Sequence, residues 1–269
     1  MLRVLRRPRA IATLERQRAF LAGIEGRLPF ATPRIEEIGP GGAWTIERRL
    51  PGTSFLVMLR QLGGSERQAA LRSYAESVDA IATIALPDRP YGQILADAPI
   101  TADTWRAYLK GGLDQFISWN GAAIEAACGD LAALRSKALR LIDDVDDRPA
   151  KALVHGDYYP GNVLIDESLN VSGLVDFSFW TVAGDPLLDV FGAAATLEMN
   201  DEATAGDIAF VRDIILDRHG DAVLRPARFY RAYFAFAMAD PGNSEGLYPR
   251  LWPWALTNLV ALREGRLGF

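Results

Sequence analysis

The chain has 269 residues, of which 49% are hydrophobic and 23% charged, and carries a formal net charge of -5. That balance describes a folded globular protein of one large domain or a lobe plus a lobe fragment, and the acidic surplus argues against a nucleic-acid partner and weakly favours a cationic one. Cys128 is the only cysteine, which excludes an internal disulfide and a thiolate metal cluster, and no apolar run is long enough to span a membrane.

Taken in order, Leu2 to Arg7 alternates like a strand, ended by Pro8. A helix is expected over 11–26, with Leu14, Arg18, Leu21 and Glu25 at helical spacings, then a strand over 34–38. Gly39-Pro40-Gly41-Gly42 reads as a turn, and 44–50 as a strand closed by Pro51-Gly52. The 65–85 segment reads as a helix capped by Ser65, with Ala69, Leu71, Tyr74, Val78 and Ile81 inward. A loop over 87–99 follows, then helices over 101–128 and 131–145, parted at Gly129-Asp130. Lys151 to Val154 reads as a short buried strand. Val163-Leu164-Ile165 and 171–175 read as a hairpin around the polar turn 166–170. Further helices are expected from about Asp185, Ala203, Arg225 and Leu247. Their aromatic residues, among them Phe229, Tyr230, Phe234 and Trp254, read as core rather than as a substrate platform. His219, beside Gly220, reads as the end of a helix.

The chemistry concentrates in Val154-His155-Gly156-Asp157-Tyr158-Tyr159-Pro160-Gly161-Asn162, followed fourteen residues later by Asp176-Phe177. The order His, Asp, Asn, Asp-Phe matches the division of labour in phosphoryl transfer: one Asp takes the proton of an attacking hydroxyl, while the Asn and the second Asp hold Mg²⁺ on nucleotide phosphates. Gly156 and Gly161 let the backbone turn tightly around the loop. The hairpin would bring Asn162 alongside Asp176, and two oxygen ligands suit a hard cation whose shell is completed by phosphates and water. Asp and Asn also favour plain turns and caps. Four ordered identities at about 5% usage each would coincide roughly once in 10⁵ start positions or fewer, and this chain offers far fewer. Besides Asp157, His155 is the other group in the motif able to accept a proton, so it stands as an alternative base.

These residues resemble the aminoglycoside phosphotransferase and choline kinase-like superfamily, in which His-Gly-Asp stands where protein kinases carry His-Arg-Asp. Gly184-Asp185-Pro186-Leu187-Leu188-Asp189 strengthens the likeness, although Ser178 departs from the usual Gly after Asp-Phe. The resemblance implies an α+β, protein-kinase-like two-lobe fold: a partial N-lobe over 1–52 and a mainly helical C-lobe over 53–269. The family's first two strands and phosphate-covering loop would lie before residue 1. His155 and Asp189 would brace the catalytic loop, with Asp185 supporting it. Arg6 is the expected phosphate-reaching residue, and Gln17 falls where its glutamate partner would be. The stretch Ile46 to Gly52 resembles the inter-lobe hinge, with adenine meeting backbone groups near Arg48 and Leu50. The implied function is ATP- and Mg²⁺-dependent phosphorylation of a small hydroxylated molecule by a cytoplasmic enzyme. The missing strands and Gln17 motivate an alternative, a non-catalytic nucleotide- or ligand-binding module. A two-metal phosphoester hydrolase is disfavoured, because two histidines cannot build a histidine-rich centre.

Overall fold

The computed structural model describes residues 1–5, 9–242 and 249–268. The chain opens with β1 (Leu2–Val4), α1 (Ile11–Ile24), β2 (Ile35–Ile38) and β3 (Trp44–Glu47), whose strands form an antiparallel sheet in the order β1-β3-β2. The inward stripe of α1 runs through Leu14, Gln17, Leu21 and Ile24, at the three- and four-residue spacings of one helical face. β3 stops three residues short of the expected Leu50. The Arg48 amide still bonds the Arg34 carbonyl, but Pro51 has no N–H to offer a ladder and Gly52 turns the chain at φ 100°.

Past this connection the chain becomes mainly helical. β4 (Thr53–Ser54) leads into α2 (Phe55–Leu59), then α3 (Gly64–Ala82). The five-residue apolar run of α2 is too short to show a period, which is why sequence reading passed over it. Gly63, not Ser65, precedes the first turn of α3, and Ala70 rather than Ala69 is buried. The expected loop over 87–99 contains β5 (Tyr91–Gln93). The next segment is β6 (Thr101–Ala102) followed by α4 (Trp105–Cys128), which begins at 105 because Thr104 caps it by accepting from the Ala107 amide. After α5 (Leu131–Leu141) come β7 (Ala152–Val154), β8 (Val163–Ile165), β9 (Val171–Leu174) and β10 (Val182–Gly184). The remaining helices are α6 (Leu187–Glu198), α7 (Ala205–His219), α8 (Leu224–Met238) and α9 (Leu251–Glu264).

Two further antiparallel sheets, β6-β5-β10-β7 and β4-β8-β9, carry the loops that matter chemically. Two apolar clusters surround them, one centred on α3 with α7, the other on α4, α8 and α9. α6 runs between the two. Val190, Ala193, Ala194 and Leu197 face the first cluster, while Leu188, Phe191 and Ala195 face the second. A helix apolar all round belongs in such a central position, and it carries the acid that anchors the loop above it. The aromatic residues of α8 are core, as the sequence indicated: Phe229, Tyr230, Tyr233, Phe234 and Phe236 are all buried. Among the described residues no helix is long and apolar enough to cross a membrane.

Candidate active site

β7 delivers His155 to the end of a fully buried strand. Gly156 then turns at φ 78°, where an added Cβ would collide with the Trp180 carbonyl. From α6, the buried Asp189 carboxylate accepts the His155 amide at 2.6 Å and the Gly156 amide at 2.8 Å. Burial pushes its pKa up to about 7 against those two bonds, which lower it. His155 is spent on the loop itself. Its Nδ1 accepts the Asp157 amide at 3.3 Å, which places the ring proton on Nε2, donated to the Val175 carbonyl at 3.0 Å. Burial pulls its pKa down to about 4, so the ring is neutral.

The hairpin closes the site. The Val175 amide donates to the Asn162 carbonyl at 2.9 Å, so Asp176 is held one residue beyond Asn162's partner. Asn162 Nδ2 donates to the Asp157 carbonyl at 2.9 Å and to Asp157 Oδ2 at 3.1 Å. Asp176 adopts φ 64°, a left-handed conformation that is uncommon for a residue with a side chain and clusters at functional sites. Burial first, and the nearby Asp176 charge second, push the Asp157 carboxyl up to about 7, with the Asn162 bond acting against them.

Arg6 lies outside the described residues. Among the described residues the cation that meets the site is Arg3 on β1, which donates to Asp176 at 3.0 Å and lies 3.8 Å from Glu47. Strand pairing fixes this: Arg3 stands opposite Thr45, while Leu2 and Val4 on the other face are exposed. Sequence reading preferred Arg6 to its neighbours Arg3 and Arg7, because alternation alone does not say which face of a strand meets a cleft. Gln17 donates to the Phe177 carbonyl at 2.7 Å and accepts from Arg9 at 3.2 Å. It therefore ties α1 to the residue after Asp176. The Arg48 guanidinium pairs with Glu25 at 2.8 Å on the outer surface, and Leu50 lies half-buried beside Gly173. Asp185 faces away from the site, accepting the Leu187 amide at 3.0 Å and the Tyr230 hydroxyl at 2.8 Å.

Asp157 and Asp176 share a cavity of about 710 Å³, lined also by Trp119, Phe179, Trp180 and Asp240. Neither Trp119 nor the Phe179-Trp180 turn announces itself in the sequence as a wall, because α4 and the loop after β9 meet through the fold alone. The donor set fits Mg²⁺: the Asp157 and Asp176 carboxylates beside the Asn162 amide oxygen are all hard oxygen ligands. Among the described residues no three His, Cys, Asp or Glu side chains converge as a closed metal cage, and Mg²⁺ bound with nucleotide phosphates needs only one or two protein carboxylates.

A family model described as a phosphotransferase enzyme family matches residues 1–230. The chain belongs to that family, and is a phosphotransferase on a kinase-like fold. A thermostable mutant of the aminoglycoside phosphotransferase APH(4)-Ia, solved with ADP and hygromycin B, superposes with a TM-score of 0.65 at 20% identity, over 94% of this chain and 83% of that one. The macrolide 2'-phosphotransferase MphH from Brachybacterium faecium gives 0.58 at 17% identity, over 97% and 83%. The gentamicin complex of APH(2")-IIa gives 0.62 at 14% identity, over 100% and 87%. No curated protein matches the chain.

Proposed function

We propose that the protein transfers the γ-phosphoryl group of ATP to a hydroxyl of a small molecule, with Asp157 accepting the hydroxyl proton. The observation that carries this reading is the meeting of Asp157, Asn162 and Asp176 at one end of a ligand-sized cavity. An acceptor with pKa near the working pH is best suited to proton transfer, and Asp157 stands at about 7. Asn162 holds Oδ2, and among the described residues Oδ1 takes no hydrogen bond, so Oδ1 is the oxygen to receive the proton. Both ring nitrogens of His155 are engaged, which supports a bracing role over that of a base. Asp176 and the Asn162 oxygen would hold Mg²⁺, which when bound would offset charge on the transferring phosphoryl group. Arg3 is placed to turn from Asp176 to nucleotide phosphates. At the hinge the Arg48 carbonyl and Leu50 amide are unbonded among the described residues, and they are the groups offered to adenine.

Asp185 caps α6 and, through it, sets the height of Asp189 beneath the loop. Phosphoryl transfer asks for positioning and charge stabilisation more than for covalent help, and these groups supply both. The solved relatives' ADP and hygromycin B make a nucleotide and a hydroxylated acceptor the first trial ligands. The test is ADP formation from Mg-ATP over a panel of hydroxylated amines, sugars and macrocycles, with phosphorylated product identified by mass spectrometry. Acceptor-dependent ADP formation that Asp157→Asn lowers by about 10²–10⁴-fold is expected. Equal turnover by wild type and variant would overturn the assignment.

A further inference from the structure

Resting on the kinase reading, the walls of the cavity specify what the acceptor looks like. We infer that it is an amphiphilic alcohol with a broad apolar or aromatic body and a single positive charge, not a polycation and not a free sugar. Three observations on the cavity lead there.

The first is the surface offered to a ligand. Trp119 is 54% exposed and Phe179 37% exposed, unusual for large apolar side chains standing together. They meet edge to face at 6.3 Å, and Phe179 lies 4.7 Å from Trp180. Met199, Met238 and Leu251 line the same cavity, and thioethers adapt to irregular apolar shapes.

The second is where the polar side chains point. Asn120 gives its amide hydrogens to the carbonyls of Phe236 at 2.8 Å and Ala237 at 3.1 Å, and Asn200 gives one to Thr196 at 2.6 Å. Both Asn120 donors are turned into the protein, as is one of the two on Asn200, so the amide of Asn120 has its acceptor oxygen left to offer. A ligand donor, such as an alcohol or an ammonium group, suits that oxygen.

The third is charge. Among the described residues no Lys or Arg lines this cavity. Among the described residues its carboxylates are Asp157, Asp176 and Asp240, and the first two are committed to the proton and the metal. Asp240 is exposed, and among the described residues only its Oδ1 is held, by the Gly242 amide at 2.9 Å. One carboxylate satisfies one ammonium. Each further charge on a polycation would face indole and thioether unpaired, and burying unpaired charge is costly. The aromatic faces add cation–π attraction for a single ammonium. The volume of about 710 Å³ falls in the roughly 300–1,000 Å³ range of drug-sized ligands, well above what a two-carbon amino alcohol fills.

Isothermal titration of the full chain tests this with three probes: metoprolol, an aryl-substituted amino alcohol with one ammonium; kanamycin, a polycation; and glucose. Metoprolol is expected to bind at least tenfold more tightly than either of the others. Asp240→Asn should weaken metoprolol about tenfold while leaving its uncharged N-acetyl analogue unchanged, and Trp119→Ala should weaken both. Both side chains are exposed, so the variants keep the fold, which a thermal melt verifies. Tighter binding of kanamycin, or metoprolol affinity indifferent to Trp119, overturns the inference. ADP formation with kanamycin but with no aryl amino alcohol would overturn it while leaving the kinase reading standing. Trp119-dependent binding of metoprolol without ADP formation from any acceptor would overturn the kinase reading and leave the ligand chemistry as inferred.

Discussion

Asp189→Asn isolates the brace beneath the catalytic loop, because it keeps the volume and shape of the side chain. Asp189 is 3% exposed, and its carboxylate accepts the amides of His155 and Gly156 at 2.6 and 2.8 Å. An asparagine has one oxygen and one NH₂, so one of those two N–H groups must face another donor, away from water. A bond to a charged acceptor contributes about 1.5–3 kcal/mol, and a buried donor left unpaired costs about 1–3 kcal/mol. One lost bond and one orphaned donor thus come to about 2.5–6 kcal/mol, with no cavity term to add. Urea unfolding should show a fall of that size at about pH 9, above the Asp189 pKa of about 7, where the carboxylate is ionised. Hydrogen exchange read by mass spectrometry should show lost protection confined first to the segment around His155 and Gly156. Mg-ATP turnover should fall with it, since Asp157 hangs from the same two residues. Stability within about 1 kcal/mol of wild type, with unchanged exchange at His155 and Gly156, would refute the claim that α6 holds the loop through this carboxylate.

Three further outcomes follow from the same geometry. Asp157→Asn should lower turnover by about 10²–10⁴-fold, the usual range for losing a general base, while Mg-ATP affinity measured by titration stays within a few-fold. Asp176→Ala should remove the Mg²⁺ dependence of nucleotide binding, and equal affinities for ATP with and without Mg²⁺ in wild type would contradict the metal assignment. Arg67 joins the α2–α3 turn to α7, bonding both Asp207 oxygens at 2.9 and 2.6 Å and the Glu202 carbonyl at 2.6 Å. Burial alone would raise the Asp207 carboxyl, but the Arg67 and Thr204 bonds hold it below its ordinary value. A depressed folded pKa means stabilisation that is present above about pH 4 and lost as pH falls through the folded value. Arg67→Met should therefore cost about 3–5 kcal/mol near neutrality, with the gap from wild type narrowing in acid. A gap independent of pH would sink that account.

The convergence of Asp157, Asn162 and Asp176 could be read from the chain because short-range spacing fixes their geometry. His155, Asp157 and Asn162 share one loop, and the two-residue period of the hairpin suffices to bring Asp176 beside them. The hydrophobic periods of α1, α3 and α4 were legible for the same reason, though the inward face of α3 passes through Ala70 instead of Ala69. Helix spacing alone does not separate adjacent alanines. What could not be read depends on contacts distant in sequence. Thr53–Ser54 becomes a strand only because β8 lies beside it, and Val182–Gly184 only between β5 and β7. Arg3 reaches Asp176 across 173 residues, a pairing that no local pattern encodes. The cavity walls are likewise assembled from α4, the turn after β9, α6 and α8. Apolar residues of those segments read as ordinary core until the fold leaves Trp119 and Phe179 uncovered.

The central claim is that Asn162 and Asp176 hold the metal of a nucleotide whose γ-phosphoryl group points at Asp157. A crystal of the full chain grown with Mn²⁺ and AMP-PNP tests it directly, because manganese can be located by its anomalous signal. The account predicts a manganese peak bonded to a carboxylate oxygen of Asp176 and the side-chain oxygen of Asn162, with the γ-phosphoryl between it and Asp157. Manganese bound elsewhere, or a triphosphate turned away from Asp157, would contradict it.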